Sequence, residues 1–596
     1  MKSRGLAKIS ANRALSQQNS QVAAIKEYIF KDDSVLKKIE SDMAACPSKK
    51  DFFVVFISIC DKKSRALVIK GIGKTLDLAW KNADQKTANI AAKKNYDVVW
   101  AKADIVNYAE EISMVDLNKE LVANFHQYFY RKGIALDEKF DIAFLEAELN
   151  ANRMIEYYTE EQIKTKQVDY NSVRLNMANI NTYRKKYYDR EQLKIFPKAI
   201  TAFTTLGFFC GEDCVVYKLH SKGLDSGRRI IDTIDDKTVE AAIINAGKYL
   251  CEMIQPNGKF IYGYYPLSDN QIGNYNILRH AGSLWSLINL YRITRDETLV
   301  HKLNLAIDYL INEYIEYRED GSAYVVERKS NEVKLGGNAI AIFMLGEYMS
   351  VFQTDKYIDI VRCLAEGILN VEDLDKGKFC HVLNYPDYSR KEEFRTVYYD
   401  GEAVFALIRA YAFTDDEKYL YGAAMAVENF ISEDYTKYRD HWVAYSLYEI
   451  TWYVPELRYY EFALQNVQNN IEDIYKRERI HPTFVEMLMA GWQTYERVLE
   501  DNVKLDYLEQ FDVEYFAQTI YHKVRHMLNG YFYPEYAMYM KQPGKILNAF
   551  FVRNDNFRVR IDDIQHFIGG CYLYTKYYNK ILPHLSEEFL FEINKD

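Results

Sequence analysis

Hydrophobic and polar residues follow a helical spacing through the second half of the chain, and the pattern recurs. Residues 281–291 (AGSLWSLINLY) align without a gap with residues 401–411 (GEAVFALIRAY), an offset of 120 residues from Tyr291 to Tyr411. The match continues past a short polar turn, where residues 306–311 align with residues 426–431. A weaker third copy lies between the two. The repeating unit is therefore about 60 residues of helix, turn and helix, a period that indicates a repeat architecture.

Each unit is apolar along one face at helical spacing and cannot bury that face alone. The first helices of six such pairs are predicted to begin near Asn276, Gly336, Asp400, Asp440, Pro482 and Asp562. The second helices are predicted near Thr298, Lys356, Glu417, Leu457 and Leu508. A further helical run, residues 237–255, precedes the first unit and can pack against the last. Twelve helices closed into a ring bury every apolar face, so we predict an (α/α)6 toroid over residues 201–596. An open solenoid of the same hairpins is the alternative.

The N-terminal third has a different pattern. Residues 1–45 are predicted to form a polar helical segment. Residues 46–110 read as a small ββαβ domain, with strands around residues 52–59 and 66–70 and a helix that follows Thr75. Residues 111–200 are predicted to be a helical linking region. The fold class is therefore mainly α, a toroid of helical hairpins that carries a small N-terminal α+β domain.

Composition and charge exclude several classes of function. The chain has 596 residues and a net charge of −9, which argues against a nucleic-acid partner because phosphate contacts need a basic surface. No run of about 18 apolar residues is present, so no membrane span is expected. The N-terminus lacks the apolar stretch of a secretory signal, and the 8 Cys are scattered, which together favour a reduced, cytoplasmic protein. No cofactor is expected, since no residue triplet has metal-ligand spacing; a zinc site made of His and Asp across the ring stays open.

The geometry of a ring predicts where polar chemistry gathers. All first helices run in the same direction, so their N-termini, with unpaired N–H groups and positive dipole ends, meet at one end. Four of the 11 His, namely His280, His441, His481 and His566, fall at these helix starts. In the ungapped repeat His280 stands where the later copy has Asp400. A position in the core would hold the same kind of residue in both copies, so the change from His to Asp indicates a ligand-binding or catalytic site. Ordinary helix capping is the alternative explanation.

The residues at the helix starts supply the candidate site. Asp400 and Glu402 are two residues apart, more acidity than one helix cap needs. The predicted catalytic residues are the carboxylates Asp400, Glu402, Asp440 and Asp563. The predicted substrate-binding residues are Arg279, His280, Asn338, Tyr398, Tyr399, His441, Trp442, Arg560 and His566. The arginines can hold anionic groups by charge-assisted hydrogen bonds, and the aromatic residues offer flat faces with a polar edge to a sugar.

A resemblance to known proteins rests on the hairpin count and on residues 398–403 (YYDGEA), 407–411 (LIRAY) and 414–420 (TDDEKYL). With these features, residues 235–590 resemble the six-hairpin glycosidase group, which includes uronyl hydrolases, polysaccharide lyases and the C-terminal toroid of glucuronyl C5-epimerases. The resemblance is to this group of folds rather than to one family. It implies an enzyme that acts on a sugar polymer in the open end of the ring.

The first functional hypothesis is a carbohydrate-active enzyme that cleaves or modifies a glycan, most simply like a glycoside hydrolase. Glycosidic cleavage needs two carboxyl groups, and Asp400 or Glu402 would work with Asp440 or Asp563. Elimination or epimerisation would instead use a His or Tyr base with an Arg or Asn neutraliser. The residues available for that are His280, Tyr399, Arg279 and Asn338. A cytoplasmic location suggests assembly of a capsule or another surface polysaccharide.

Two other classes of function remain open. The first is a non-catalytic toroid that binds a glycan or a protein within a biosynthetic complex, with the N-terminal domain as the docking module. The second is a cyclase on an α-toroid, which would need an acidic cluster that faces an apolar cavity. Only Asp562 and Asp563 suggest such a cluster.

Overall fold

The computed structural model describes residues 20–47, 51–124, 129–156, 165, 173–188 and 191–594. The first 19 residues of the predicted helical segment lie outside them. The helices are α1 Ser20–Lys31, α2 Asp33–Ala44, α3 Leu76–Lys94, α4 Met114–Ala123, α5 Glu146–Ala151, α6 Met177–Tyr188, α7 Asp236–Glu252, α8 Ile277–Thr294, α9 Thr298–Tyr314, α10 Leu335–Phe352, α11 Ile358–Leu369, α12 Tyr398–Thr414, α13 Glu417–Ser432, α14 His441–Ile450, α15 Leu457–Gln468, α16 Ile471–Lys476, α17 Pro482–Glu500, α18 Val513–Met527, α19 Pro534–Ala537, α20 Pro543–Ile546, α21 Ile561–Ile581 and α22 Glu587–Asn594. The strands are β1 Phe53–Cys60, β2 Leu67–Gly73, β3 Trp100–Ser113, β4 Gly133–Ala135, β5 Ala143–Phe144, β6 Ile155–Glu156, β7 Arg174–Leu175, β8 Ala199–Cys210, β9 Val216–Lys218, β10 Gly263–Tyr265, β11 Asn270–Gln271, β12 Ile315–Tyr317, β13 Ala323–Glu327, β14 Glu332–Lys334, β15 Glu372–Asp373, β16 Lys378–Phe379, β17 Val382–Asn384, β18 Arg390–Glu392 and β19 Val559–Arg560.

Six helices form a closed inner ring in which each packs against the next and the last packs against the first. They are α8, α10, α12, α14, α17 and α21. The outer layer consists of α9, α11, α13, α15, α18 and α7, and each of these packs against one or two inner helices. Helix α7 closes the ring because it packs against both α21 and α8. The predicted (α/α)6 toroid is therefore confirmed, and its inner helices begin within two residues of the predicted positions.

The outer and inner helices differ in how their apolar residues are distributed around the helix axis, as their sequences predict. Outer helix α11 buries Val361, Leu364, Ala365 and Ile368, which recur every three or four residues along one face. Inner helix α10 is apolar around its whole circumference. It alone among the described helices has the length and apolar composition of a membrane-crossing segment, but 89% of it is buried inside the ring. A helix that is enclosed on all sides needs this composition.

The internal repeat extends to the turns. The inner helices of the three repeated units, α8, α10 and α12, each end at a residue in the left-handed conformation. These residues are Arg295, Gln353 and Asp415, with φ of 51°, 51° and 54°. Each donates its N–H to the carbonyl four residues earlier, which satisfies a carbonyl at the helix end. The same turn therefore leads from inner to outer helix in all three units.

The N-terminal part is a larger antiparallel sheet than the sequence predicted. Its strand order is β2-β1-β3-β8-β4-β5, with β9 paired to β8. Strands β3 and β8 pair along their whole length, from Ala101 opposite Cys210 to Ser113 opposite Ala199. The predicted boundary between linking region and toroid at residue 200 thus falls inside β8. Local spacing could not show this, because 85 residues lie between the end of β3 and the start of β8.

The sheet packs against the ring through the loop between α18 and α21. The Ser58 hydroxyl hydrogen-bonds to the Tyr539 hydroxyl at 2.9 Å, and the Arg65 guanidinium donates to the Tyr539 carbonyl at 2.6 Å. Arg229 pairs with the Glu535 carboxylate at 2.7 Å. This loop leads into the first turn of α21. The sheet therefore lies at the end of the ring where the inner helices begin.

Candidate active site at the mouth of the ring

We call the ring end at which the six inner helices begin the mouth. Aromatic side chains fill the ring centre behind it, with Trp442 in contact with Trp285, Phe343, Phe405 and Tyr445 at centroid distances of 5.0–6.0 Å. The ring is therefore a packed core with a floor and not an open channel. Trp442 is only 2% exposed. It belongs to this floor, although the sequence analysis predicted it to bind the substrate.

Two histidines and a glutamate from three inner helices meet above the floor. The rings of His441, at the start of α14, and His566, in the second turn of α21, lie 5.1 Å apart and nearly perpendicular. Glu486 of α17 accepts a hydrogen bond from His566 Nδ1 at 2.6 Å, and its Oε2 lies 3.7 Å from His441 Nε2. His441 is 1% exposed, yet neither of its ring nitrogens has a hydrogen-bond partner among the described residues.

The surroundings of the two histidines shift their pKa values in opposite directions. Burial lowers the pKa of His441 well below its ordinary value, and the neighbouring His566 lowers it further. Burial also acts to lower the pKa of His566, but the Glu486 carboxylate outweighs it, so the pKa of His566 is raised. The two shifts favour the neutral imidazole at His441 and the protonated ring, a proton donor, at His566. Environments that separate two pKa values in this way are typical of a catalytic acid and base.

Two of the predicted catalytic carboxyls also lie in the mouth. Glu402 is 3% exposed, and its Oε2 would lie only 2.0 Å from a Cβ at Gly336, so this approach requires glycine there. Asp440 caps α14 by accepting the Trp442 N–H at 2.9 Å through Oδ1. Oε2 of Glu402 and Oδ2 of Asp440 have no hydrogen-bond partner in the described part of the chain. Burial raises the pKa of both carboxyls well above the ordinary range, and Asp440 adds to the shift at Glu402.

A cationic side chain borders the same space. Arg279, in the first turn of α8, pairs through Nε with Asp562 Oδ2 at 2.9 Å and also donates to the Tyr262 hydroxyl. Its side chain keeps 33% of its surface exposed. Arg560 also donates to Asp562, at 2.7 Å. Burial alone would raise the pKa of Asp562, but the two arginines hold it below its ordinary value, so this group is ionised.

Asp563, the fourth predicted catalytic carboxylate, forms a structural ion pair. The Arg558 guanidinium donates to both of its carboxylate oxygens, each at 2.9 Å. This bidentate pair holds the segment before α21 against its first turn. Because both oxygens are engaged, Asp563 does not fit the predicted role of a catalytic carboxylate.

Two further predicted site residues face away from the mouth. The His280 ring hydrogen-bonds to the Tyr275 hydroxyl at 2.7 Å and to the Ala306 carbonyl of outer helix α9 at 2.8 Å. Asp400 accepts from His381 Nε2 at 2.9 Å and from the Tyr435 hydroxyl at 3.0 Å. Both residues join the inner ring to surrounding segments and are therefore structural. The predictions of His280 as a substrate ligand and of Asp400 as a catalytic residue are not supported.

Asn338 is fully engaged by backbone groups. It accepts the Val325 N–H at 2.8 Å and donates to the carbonyls of Ala323 and Leu364 at 2.9 and 3.1 Å. It therefore ties α10 to β13 and α11, and is not available to a substrate.

The two predicted tyrosines differ. Tyr399 is 8% exposed and packs against the His381 ring at 5.4 Å, beside the structural Asp400 pair. Tyr398 is 40% exposed, and its ring lies 5.6 Å from His441. Tyr398 is thus the predicted aromatic residue that reaches the rim of the mouth.

The sequence analysis missed Glu486. A signal was present, because Glu486 is the single charged residue in the apolar run Val485 to Ala490. A carboxylate on an otherwise buried helix needs a partner. His566 supplies that partner, and Tyr445 contacts the other oxygen at 3.4 Å.

No protein-family model matches the sequence, and no curated protein is similar to it. Solved structures do align with part of the chain. A D-mannose isomerase aligns over 58% of this chain and 98% of its own, with 13% identity and a TM-score of 0.45. The cellobiose 2-epimerase of Bacillus thermoamylovorans B4167 covers 50% and 88%, with 14% identity and a TM-score of 0.39. The GH76 α-mannanase BT2949 of Bacteroides thetaiotaomicron covers 59% and 97%, with 10% identity and a TM-score of 0.42. Similarities this low do not identify a reaction or a substrate for this chain.

Proposed function

We propose that this protein is a carbohydrate-active enzyme that enolises a reducing sugar at the mouth of the ring. The reaction removes the proton from carbon 2, beside the carbonyl. This step is shared by aldose–ketose isomerisation and 2-epimerisation. The observation that carries the proposal is the His441–His566 pair, two rings 5.1 Å apart whose surroundings lower the pKa of His441 and raise the pKa of His566.

The two histidines take complementary roles. Neutral His441 accepts the proton from carbon 2, and the electron pair left behind forms the double bond between carbons 1 and 2. The carbonyl electrons move to oxygen 1, which takes a proton from His566. A catalytic group reaches its target atom at about 2.6–3.2 Å. Groups about 5 Å apart can therefore serve carbon 2 and oxygen 1 together.

The enediol formed in this step leads to either product. Protonation of carbon 1, with loss of the proton on oxygen 2, gives the ketose, and protonation of carbon 2 on its other face, with return of the oxygen 1 proton to the histidine, gives the epimer. Arg279 supports the reaction because its partly exposed guanidinium can stabilise negative charge on oxygen 1.

Two other groups fit a polyhydroxylated substrate. Burial raises the pKa of Glu402 well above its ordinary range, which favours the carboxylic acid form that can donate to a hydroxyl or carbonyl oxygen. The exposed ring of Tyr398 at the rim offers an apolar face to a sugar ring. A small polar molecule that combines hydroxyls with an apolar face suits this combination better than a lipid or a nucleotide does.

The test is proton exchange with solvent. The protein is incubated in D2O with a panel of aldoses and reducing disaccharides, and deuterium at carbon 2 is followed by NMR. We expect exchange with at least one sugar, and a loss of about 10²-fold or more in His441→Asn and His566→Gln. His301→Gln, at an exposed histidine of α9, is the matched control and should keep full activity. Absence of exchange with every sugar, or equal exchange in all variants, contradicts the proposal.

A second candidate is glycosidic cleavage by Glu402 and Asp440. It is favoured by the burial of both carboxyls and by the raised pKa of Glu402, which would make that group the acid. Aryl glycosides and oligosaccharides test it. Cleavage that is lost in Glu402→Gln and Asp440→Asn but retained in His441→Asn would favour this reaction over enolisation. A role in capsule or other surface-polysaccharide assembly remains part of the proposal, and neighbouring genes for sugar-nucleotide enzymes would support it.

A further inference from the structure

The His441, Glu486 and His566 side chains also have the composition of a metal site. One ligand atom can be chosen from each residue so that all three atoms lie within 4.8 Å of one another. Two imidazoles and a carboxylate are a common ligand set for catalytic zinc, which leaves a fourth position open. The part of the chain described here contains one such group of three potential ligands.

The distances suit a tetrahedral ion after a small adjustment. Ligands at about 2.0–2.1 Å from a tetrahedral zinc ion are about 3.4 Å from one another. The observed separations from Glu486 Oε2 are 2.6 Å to His566 Nδ1 and 3.7 Å to His441 Nε2, which lie on either side of that value. All three ligand atoms lie within 4.8 Å of one another, so side-chain movements of about 1 Å bring the triangle close to the tetrahedral spacing.

A second observation points to a ligand at this place. Both ring nitrogens of His441 are buried without a hydrogen-bond partner among the described residues, which is costly unless something binds there. The nearby Tyr445 hydroxyl contacts Glu486 Oε1 at 3.4 Å, which is the kind of outer contact that orients a metal-binding carboxylate. The His566 side chain is 19% exposed, so the fourth position is accessible from solvent.

We propose that His441, Glu486 and His566 bind one divalent transition-metal ion of the zinc class, and that the bound ion inhibits the enzyme. On binding, the ion takes the place of the proton shared by His566 and Glu486, and that proton passes to solvent. The ion also occupies the lone pair of His441. Binding itself does not depend on the proposed function. The inhibition does rest on it, because it follows from the use of both histidines in proton transfer.

The experiment separates these two parts. Full-length protein is treated with a chelator, desalted and titrated with Zn2+ by calorimetry without sugar, and Co2+ is used to report tetrahedral coordination by its visible absorption. We expect one ion per chain, and affinity at least about 100-fold weaker in Glu486→Gln and His566→Gln. His481→Gln replaces a partly buried histidine at the start of α17 that lies outside the group, and it should bind like the wild type.

Circular dichroism and thermal unfolding check that the variants fold, and a variant that does not fold is replaced by His441→Asn. Absence of binding to the wild type, or equal binding in the wild type and the folded ligand variants, overturns the metal site. Inhibition is then measured as loss of deuterium exchange at carbon 2 on addition of Zn2+, with recovery on addition of EDTA. Tight binding without inhibition would refute the inhibitory role and leave the metal site standing. Failure of sugar exchange in metal-free protein would count against the proposed function only.

Discussion

Gly569→Ala should disturb the His566–Glu486 pair without touching either residue. Gly569 lies in α21, and a Cβ added there would be 2.5 Å from Glu486 Oε1. An ordinary contact of this kind is 3.4 Å or longer, so the carboxylate must retreat by about 0.9 Å. The hydrogen bond from His566, now 2.6 Å long, would then stretch or break. A misplacement of about 1 Å in a catalytic constellation costs about 10²-fold in rate.

The same substitution should leave the fold intact. Alanine is favoured over glycine inside a helix by about 1 kcal/mol, and the atom that it meets is the mobile end of a side chain. The assay is the rate of deuterium exchange at carbon 2 as a function of pH. Because Glu486 raises the pKa of His566, its retreat lowers that pKa. The acid form is then lost at lower pH, and the alkaline limb of the profile moves to lower pH.

Gly247→Ala is the matched control. Its Cβ would lie 2.6 Å from Leu290 Cδ2, so the overlap is similar, but it occurs between α7 and α8 and involves no site residue. Exchange by this variant should stay within about twofold of the wild type. An unchanged rate and pH profile in Gly569→Ala, or an equal loss in both variants, would refute the reasoning.

Three further predictions concern buried polar groups outside the acid–base pair. Burial raises the pKa of Glu372 to about 7, and neither carboxylate oxygen has a hydrogen-bond partner among the described residues. The folded state therefore holds this proton between the unfolded pKa of about 4.5 and pH 7, and stability is lost as pH rises through this window. Glu372→Gln has no carboxyl proton to lose, so its free energy of unfolding at pH 8 should exceed that of the wild type by up to about 3 kcal/mol. Urea unfolding should show this difference at pH 8 but not at pH 4.5. Asn338→Ala leaves three backbone partners unsatisfied and should destabilise by about 1–3 kcal/mol in the same assay, with catalysis by the folded protein retained. Asp400→Asn weakens the contacts to His381 and Tyr435, so it should lower the unfolding temperature and keep carbon 2 exchange; loss of exchange at unchanged stability would make Asp400 catalytic after all.

The ring could be predicted because its signal is local. The apolar pattern of each helix can be read within that helix, and the 120-residue repeat shows that whole helical hairpins recur. The N-terminal sheet was only partly predictable, since β3 and β8 pair across 85 intervening residues. No local pattern records such a pairing.

The site was also only partly predictable from the sequence, here because side-chain direction changes within one helical turn. The sequence correctly gathers the helix starts at one end, but it does not show which side of each helix faces the ring centre. His280 and Asp400 are equivalent in the repeat, and both use their side chains to hold surrounding segments. The variation between His and Asp at this position therefore reflects different outer partners. Glu486 lies a full turn inside its helix, within the apolar run from Val485 to Ala490, whose composition is typical of the core side of a hairpin.

The most direct test of the central claim is chemical rescue of the proposed base. In His441→Ala, the rate of deuterium exchange at carbon 2 of the accepted sugar is measured in D2O with and without free imidazole. If His441 accepts the proton, exchange should fall by about 10²–10⁴-fold and be partly restored as imidazole is added. His566→Ala, which lacks the acid, should show its own rescue at a pH where imidazolium is abundant. Exchange at the wild-type rate in His441→Ala, or a loss that imidazole does not restore in a correctly folded variant, would contradict the assignment of the mouth as an acid–base site.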